Sequence, residues 1–276
     1  MFGAGISVGT SGIGPQGAIG SQGASSAAGA QGNQGFQGIQ GAGGAQGSQG
    51  SQGAQGSSSG PPVAGYVAWY DASDTSSITS SGGAVSQWND KSGNGYHLTQ
   101  STEANKPTTG TDSINGKNVM NFAAGGRYIN RASTPSQNTW TWFFVMKAAS
   151  VANWQFPVGS NDPGNAGLSC YSSGSGSTLR ALFGGSPLAT SSSTTVGTYY
   201  WTVTGDTSNC YIYRNGIADG NGLTYGSSTW SGFCLGGLGA IYTLNGAIGE
   251  FIVYNSVLGT TDRQTVESYL ATKWGL

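Results

Sequence analysis

Charge is what this sequence has least of. Only 8% of its residues are charged, against roughly 25% in an ordinary soluble domain, and positions 1–70 hold no Lys, Arg, Asp or Glu at all. With a formal net charge of −1 and no cluster of Lys or Arg, the chain lacks the electrostatic footprint of a nucleic-acid or anionic-membrane binder. No apolar run reaches the roughly 18 residues of a spanning helix, so no membrane insertion is expected. The first residues, Met1 to Gly9, have neither a basic start nor a continuous apolar core, so no signal peptide is expected. Cysteine is scarce too. Cys170, Cys210 and Cys234 are too few and too widely spaced for a disulfide framework or a zinc knuckle, and at least one must stay free; buried thiols are the expectation.

Glycine is what the sequence has in excess, 50 residues in 276. In the N-terminal part it keeps step: Gly14, Gly17, Gly20, Gly23, Gly29, Gly32, Gly35, Gly38, Gly41, Gly44, Gly47, Gly50, Gly53 and Gly56 follow one three-residue register, broken only at Ser26. Three polyproline-II-like strands wound about one axis leave room there for hydrogen alone, which imposes this period. A disordered Gly/Ser/Gln linker has no reason to hold it. The stretch reads as a collagen-like triple-helical shaft, roughly 130 Å long if fully extended, with these glycines at the axis of a homotrimer.

Proline, abundant in ordinary collagens, occurs once in the shaft, at Pro15, and Gln fills most third positions. The shaft is weakly preorganised, and a neighbouring domain or anchor must support it. Residues 1–13 carry Phe2, Ile6 and Val8 and read as an anchor peptide that inserts into a docking protein. Ser57 to Pro62 ends the period and reads as a hinge, so the divisions are 1–13 anchor, 14–62 shaft and hinge, and 63–276 head.

From Val63 the pattern changes to short alternating strands between Gly, Ser, Asn and Asp clusters. Tyr66–Tyr70, Val119–Phe122, Trp140–Lys147, Thr198–Thr204, Cys210–Tyr213 and Ala247–Tyr254 are aromatic and β-branched, as strands prefer. Asn115-Gly116 and Asn215-Gly216 supply the pair favoured in tight hairpins. One helix closes the chain. Thr261 with Gln264 forms a capping-box pattern, Val266, Tyr269, Leu270 and Trp274 recur at helical spacing, and Gly275 stops it. The fold class is all-β, a two-sheet antiparallel sandwich or jelly roll with one C-terminal helix.

Several blocks in order resemble a known family. Trp69-Tyr70-Asp71-Ala72-Ser73-Asp74, Val85 to Gly95 with Trp88-Asn89-Asp90-Lys91-Ser92-Gly93, Val119-Met120-Asn121-Phe122 after the Asn115-Gly116 turn, Ile248 to Asn255, and Val266 to Leu270 with Lys273-Trp274-Gly275-Leu276 together resemble the laminin-G-like, concanavalin-A-like jelly rolls over residues 63–276. Such modules are common in phage fibre and virion proteins and in bacterial surface proteins. The resemblance implies a sandwich that binds glycans or partner proteins, and not an enzyme.

The residues support the same expectation. Hydrolases on the jelly roll place a Glu-x-Asp-x-x-Glu run on one strand, since retaining glycosidic cleavage needs two carboxyls about 5.5 Å apart. Here Glu250 has no acidic neighbour within ten positions, and the single histidine, His97, has no evident nucleophilic partner. No catalytic residue and no cofactor is expected. Asp71, Asp74, Asp90, Asp162 and Asp206 offer oxygens to calcium, but none stands in a dense Asp-x-Asp run and isolated Asp serves turns, so no metal is expected.

Of eight tryptophans, Trp69, Trp88, Trp140, Trp142, Trp201 and Trp274 sit in strand or helix patterns and belong to the core. Trp154 and Trp230 lie among Asn, Ser and Gly; with Asn161 and Asp162 they are the candidate glycan-binding residues. The reading is a trimeric virion-surface fibre, part of a phage head, collar or tail, docked at its N-terminus and presenting the head to a host-surface glycan or protein. An architectural capsid decoration and a bacterial surface or spore collagen-like glycoprotein are the alternatives.

Overall fold

The strongest strand in the sequence, Trp140-Thr-Trp-Phe-Phe-Val-Met-Lys-Ala148, is buried along almost its whole length. A strand apolar on both faces needs a layer on each side. The computed structural model supplies both. It describes residues 60–276 apart from 124, 132, 135–137, 151–153, 160–165, 173–176, 184–185, 192–195, 207 and 221–231. The shaft glycines, the anchor residues Phe2, Ile6 and Val8, and Asn161, Asp162 and Trp230 lie outside the described residues.

In chain order the strands are β1 (Tyr66–Asp71), β2 (Ile78–Ser81), β3 (Ala84–Trp88), β4 (Leu98–Thr99), β5 (Ser113–Ile114) and β6 (Lys117–Asn118). Next come β7 (Met120–Asn121), β8 (Ile129–Arg131), β9 (Trp140–Ala148), β10 (Gln155–Gly159), β11 (Ala166–Ser172) and β12 (Ser177–Phe183). Last are β13 (Ser186–Thr190), β14 (Gly197–Gly205), β15 (Cys210–Arg214), β16 (Ile217–Gly220), β17 (Phe233–Leu235) and β18 (Gly246–Tyr254), followed by helix α1 (Thr260–Trp274). One sheet runs β1-β18-β9-β14-β15-β16, with β7 also on β18; the other runs β13-β12-β11-β10-β17-β8-β4-β3-β2. All the named pairings are antiparallel. The head, Gly60–Leu276, is therefore an all-β sandwich with one C-terminal helix.

Alternation along β9 and β18 sorts side chains between two cores. Trp142, Phe144 and Phe251 face the second sheet, where Phe233 meets Trp142 and Phe251 edge-on at 5.9 and 5.6 Å. Phe143, Val145, Ile252 and Tyr254 face the helix, packing with Val266, Leu270 and Trp274. The six tryptophans assigned to the core are all buried. Cys210 and Cys234 are free and buried, and burial pushes both thiols up to about 12. The Asn215-Gly216 and Asn115-Gly116 pairs take the two positive φ angles of a tight hairpin turn.

The helix start differs from expectation. Its cap is Gly259, whose side chain offers no acceptor, and Thr261 lies inside the first turn, where its carbonyl accepts from Thr265 Oγ1 at 2.8 Å. Buried apolar contact, rather than a cap, holds this helix in place. The far end follows the sequence, with Gly275 left-handed at φ 68°.

Gly249 is where the sheet accommodates the helix. The register of β18 on β9 shifts between Ile248 and Glu250, a bulge that adds one residue and resets the alternation. Without it Glu250, two places after the inward-facing Ile248, would point into the apolar core. A Cβ on Gly249 would lie 2.7 Å from the Trp274 ring, so Gly249→Ala is expected to destabilise the head by about 1–3 kcal/mol, measured as a lower urea midpoint with an unchanged m-value.

Candidate functional site

Two places in the head concentrate unusual chemistry. The first is a buried charge cluster beneath α1. Asp71 and Glu250 are opposite partners in the β1–β18 ladder, and Lys273 of the helix bridges them, 2.8 Å from each carboxylate. Glu250 also accepts from Trp69 Nε1 (2.8 Å), Tyr269 OH (2.8 Å) and Trp274 Nε1 (2.7 Å). Lys91 pairs with Asp74 at 2.7 Å and reaches Asp71 at 3.4 Å, above the Trp69 ring.

Burial alone would raise the Asp71 pKa, but Lys273, Ser73 and Lys91 outweigh it and hold this carboxyl below its ordinary range. For Glu250 burial prevails over Lys273, helped by the Asp71 charge, and its pKa is raised. Asp74 is lowered by its hydrogen bonds from Lys91 and Ser76. These groups close the cluster on itself: it fastens the helix to the sheet.

Of the five candidate calcium ligands, the four among the described residues have partners within the protein; Asp71 and Asp74 belong to the cluster above. Asp90 accepts from the backbone of Trp69, Ser92 and Tyr96, and Asp206 accepts from Ser208 N and Asn209 N in a turn. Among the described residues no group of three or more His, Cys, Asp and Glu is placed to hold a metal. His97 accepts the Asp90 N–H at Nδ1, 3.1 Å, which orders the loop between β3 and β4.

The second place is an aromatic rim at the end of the sandwich where β9 stops and β18 starts. Of the four residues proposed from sequence, Trp154 is there. It is half-buried, and its ring stacks on Phe156 at 6.5 Å and 13°. Phe156 in turn meets Tyr242 at 6.2 Å, and its N–H donates to the Tyr242 carbonyl at 2.9 Å. Ile241 and Tyr242 are 54% and 51% exposed, far more than core residues of their size. Amide and hydroxyl groups border them: Asn245 Nδ2 donates to Ser150 Oγ at 2.6 Å, and Asn245 N donates to Gln155 Oε1 at 3.0 Å.

Backbone strain marks the same spot. Four non-glycine residues among those described have positive φ. Asn115 and Asn215 are hairpin turns, where Asn is at home. The other two are Trp154 at φ 58° and Tyr242 at φ 51°, bulky residues for which this conformation is costly and which tend to be held so at functional sites. Tyr242 is not among the four residues expected from sequence, and its one signal there is the isolated Ile241-Tyr242 pair after a Gly-rich turn.

No family model matches the sequence, and no curated protein matches it. Solved structures do share its fold. Domain 4 of AbnA, an extracellular GH43 arabinanase from Geobacillus stearothermophilus solved in complex with arabinotriose, superposes with a TM-score of 0.53 at 15% identity, over 74% of this chain and 98% of that one. An arabinofuranosidase complexed with arabinofuranosyl-α-1,2-xylobiose gives 0.52 at 14% identity, over 67% of this chain and 50% of that one. A Trypanosoma rangeli sialidase mutant with trans-sialidase activity gives 0.51 at 15%, over 78% of this chain and 34% of that one. The chain thus spans about half of the arabinofuranosidase and a third of the sialidase.

These likenesses correct one expectation. The exclusion of an enzyme rested on a missing linear carboxylate run and on a resemblance, yet the fold occurs within glycoside hydrolases, so neither ground excludes catalysis. The physical reason is visible in this head, where Asp71 and Glu250 become neighbours through strand register, a pairing no linear motif reports.

Lys273→Met is expected to destabilise the head by about 3–5 kcal/mol at neutral pH, because it strands two buried carboxylates. The sign of the pH dependence follows. Asp71, lowered in the folded state, contributes stability above its ordinary pKa and loses it as pH falls through the lowered value. Glu250, raised, favours folding in acid, and that advantage is lost as pH rises through its raised value. Without Lys273 both carboxyls rise, so the deficit of the variant is largest at neutral pH and shrinks on acidification, as denaturant titrations across pH will report.

Proposed function

We propose that this chain is a trimeric virion fibre, in a phage head, collar or tail, whose C-terminal head adheres to host-surface carbohydrate. In this reading residues 14–56 form a collagen-like shaft, residues 1–13 dock the fibre to the particle, and the sandwich is a jelly roll of the laminin-G-like, concanavalin-A-like kind carried on the virion surface. The observation that carries it is the glycine register from Gly14 to Gly56, for which a crowded three-chain axis is the known cause.

Carbohydrate as the ligand is supported by the chemistry of the rim. Sugars present apolar C–H faces edged with hydroxyls, and an aromatic platform beside amides and hydroxyls matches both. The shared fold includes domain 4 of the arabinanase, solved with arabinotriose. Three heads on one shaft would add avidity to weak single contacts.

Light scattering on the full chain is expected to give three times the 27.9 kDa chain mass; a monomer with residues 14–56 intact overturns the shaft. For the rim, Tyr242→Ala and Trp154→Ala are each expected to weaken binding to the best glycan on an array of host-type oligosaccharides on the order of tenfold. Undiminished binding by both variants, with melting temperatures unchanged, moves the ligand off this surface.

A further inference from the structure

The buried cluster beneath α1 holds more than an ion pair needs. One amine sits between two carboxylates whose side chains are both fully buried, with Lys273 Nζ 2.8 Å from Asp71 Oδ2 and 2.8 Å from Glu250 Oε2. The carboxyl carbon of Glu250 is one C–O bond of about 1.2 Å further on. Amine and carbon therefore lie within roughly 4 Å, close to the separation from which an attack starts.

The two oxygens of Glu250 are held differently. Oε1 accepts from Trp69 Nε1 and from Tyr269 OH, both at 2.8 Å, two donors placed where negative charge gathers if the carbon is attacked. Oε2 faces Lys273 and accepts from Trp274 Nε1 at 2.7 Å. Asp71 is held on its other oxygen by Ser73 N at 3.0 Å and Ser73 Oγ at 2.6 Å, and Lys91 lies 3.4 Å from its Oδ2. Burial favours the protonated, uncharged form of Glu250, whereas Lys273, Ser73 and Lys91 keep Asp71 ionised, so an acid and a base flank one amine. In water an amine and a carboxyl stay apart because both ions are solvated. Here the Lys273 side chain is only 15% exposed, and the rings of Trp69, Tyr269 and Trp274, 5.3–5.9 Å from its Nζ, take the place of most of that water.

We infer that Lys273 and Glu250 close into an amide, a side-chain cross-link between α1 and β18, with Asp71 as the base. The Asp71 carboxylate takes a proton from the Lys273 ammonium. The freed amine attacks Cδ of the protonated Glu250 carboxyl, and the oxyanion on Oε1 is met by Trp69 and Tyr269. Asp71 returns its proton to Oε2, which leaves as water, and then accepts the second proton lost by the nitrogen. The products are a neutral amide, one water and a protonated Asp71, and no oxidant or co-reactant is consumed. The ion pair is the state before this step. Once closed, the bond ties the last element of the chain to the central sheet and restricts the unfolded chain. Nothing in this chemistry depends on the shaft.

Mass spectrometry of the full-length protein tests it. Denatured wild-type protein is expected to be lighter than its sequence mass of 27.9 kDa by one water, and the Lys273→Met and Asp71→Asn variants to keep their full masses. Trypsin cuts after Arg214 and Arg263 but not at an acylated Lys273, so peptides 215–263 and 264–276 are expected as one linked species. Tyr269→Phe keeps the ring and removes one donor to Oε1; closure followed in freshly purified protein is expected to slow on the order of a hundredfold. Wild-type protein that stays at its full mass on prolonged incubation, with 264–273 and 274–276 released separately, overturns the inference. A water loss that instead joins 264–276 to peptide 1–91 makes Asp71 the acylated residue and overturns the role given to Glu250.

Discussion

Lys273 stands between two carboxylates that would otherwise repel each other inside the protein, 2.8 Å from Asp71 and 2.8 Å from Glu250. Its position accounts for much of what surrounds it. Charge this deep is tolerated only when every polar atom is matched, and Trp69, Tyr269 and Trp274 each spend their polar hydrogen on Glu250. The same three aromatics form much of the apolar seam between helix and sheet. Ion pair and seam are one construction, and the Gly249 bulge turns Glu250 toward it.

The two ends of the sandwich differ in structure. At one end Tyr254 OH donates to the Val63 carbonyl beside a buried Pro61; at the other, two strained aromatics flank Phe156. A long strand buried along its whole length, β18, runs between the ends.

Much of the fold was legible in the chain. Trp140 to Ala148 and Gly246 to Tyr254 announce strands by β-branched and aromatic content, Asn215-Gly216 announces its turn, and the spacing of Val266, Leu270 and Trp274 announces the helix face. The helix starts before its expected cap: Thr261 has the right chemistry but stands two residues after Gly259, and tertiary packing overrides the local preference. At the rim Trp154 was legible as a tryptophan among small polar residues, whereas Tyr242 was not, since its exposure depends on the left-handed turn that lifts it beside Phe156.

By itself the sequence determined the local periodicities: glycine at every third residue up to Gly56, alternation in the strands, a helical stripe at the end. Such patterns are set by backbone geometry over a few residues and need no partner to be read. Only the tertiary structure decided that Asp71, Glu250 and Lys273 share one buried site and that Trp154 and Tyr242 share one rim. Those meetings depend on strand register and on a single bulge, and register is fixed by the packing of the whole head.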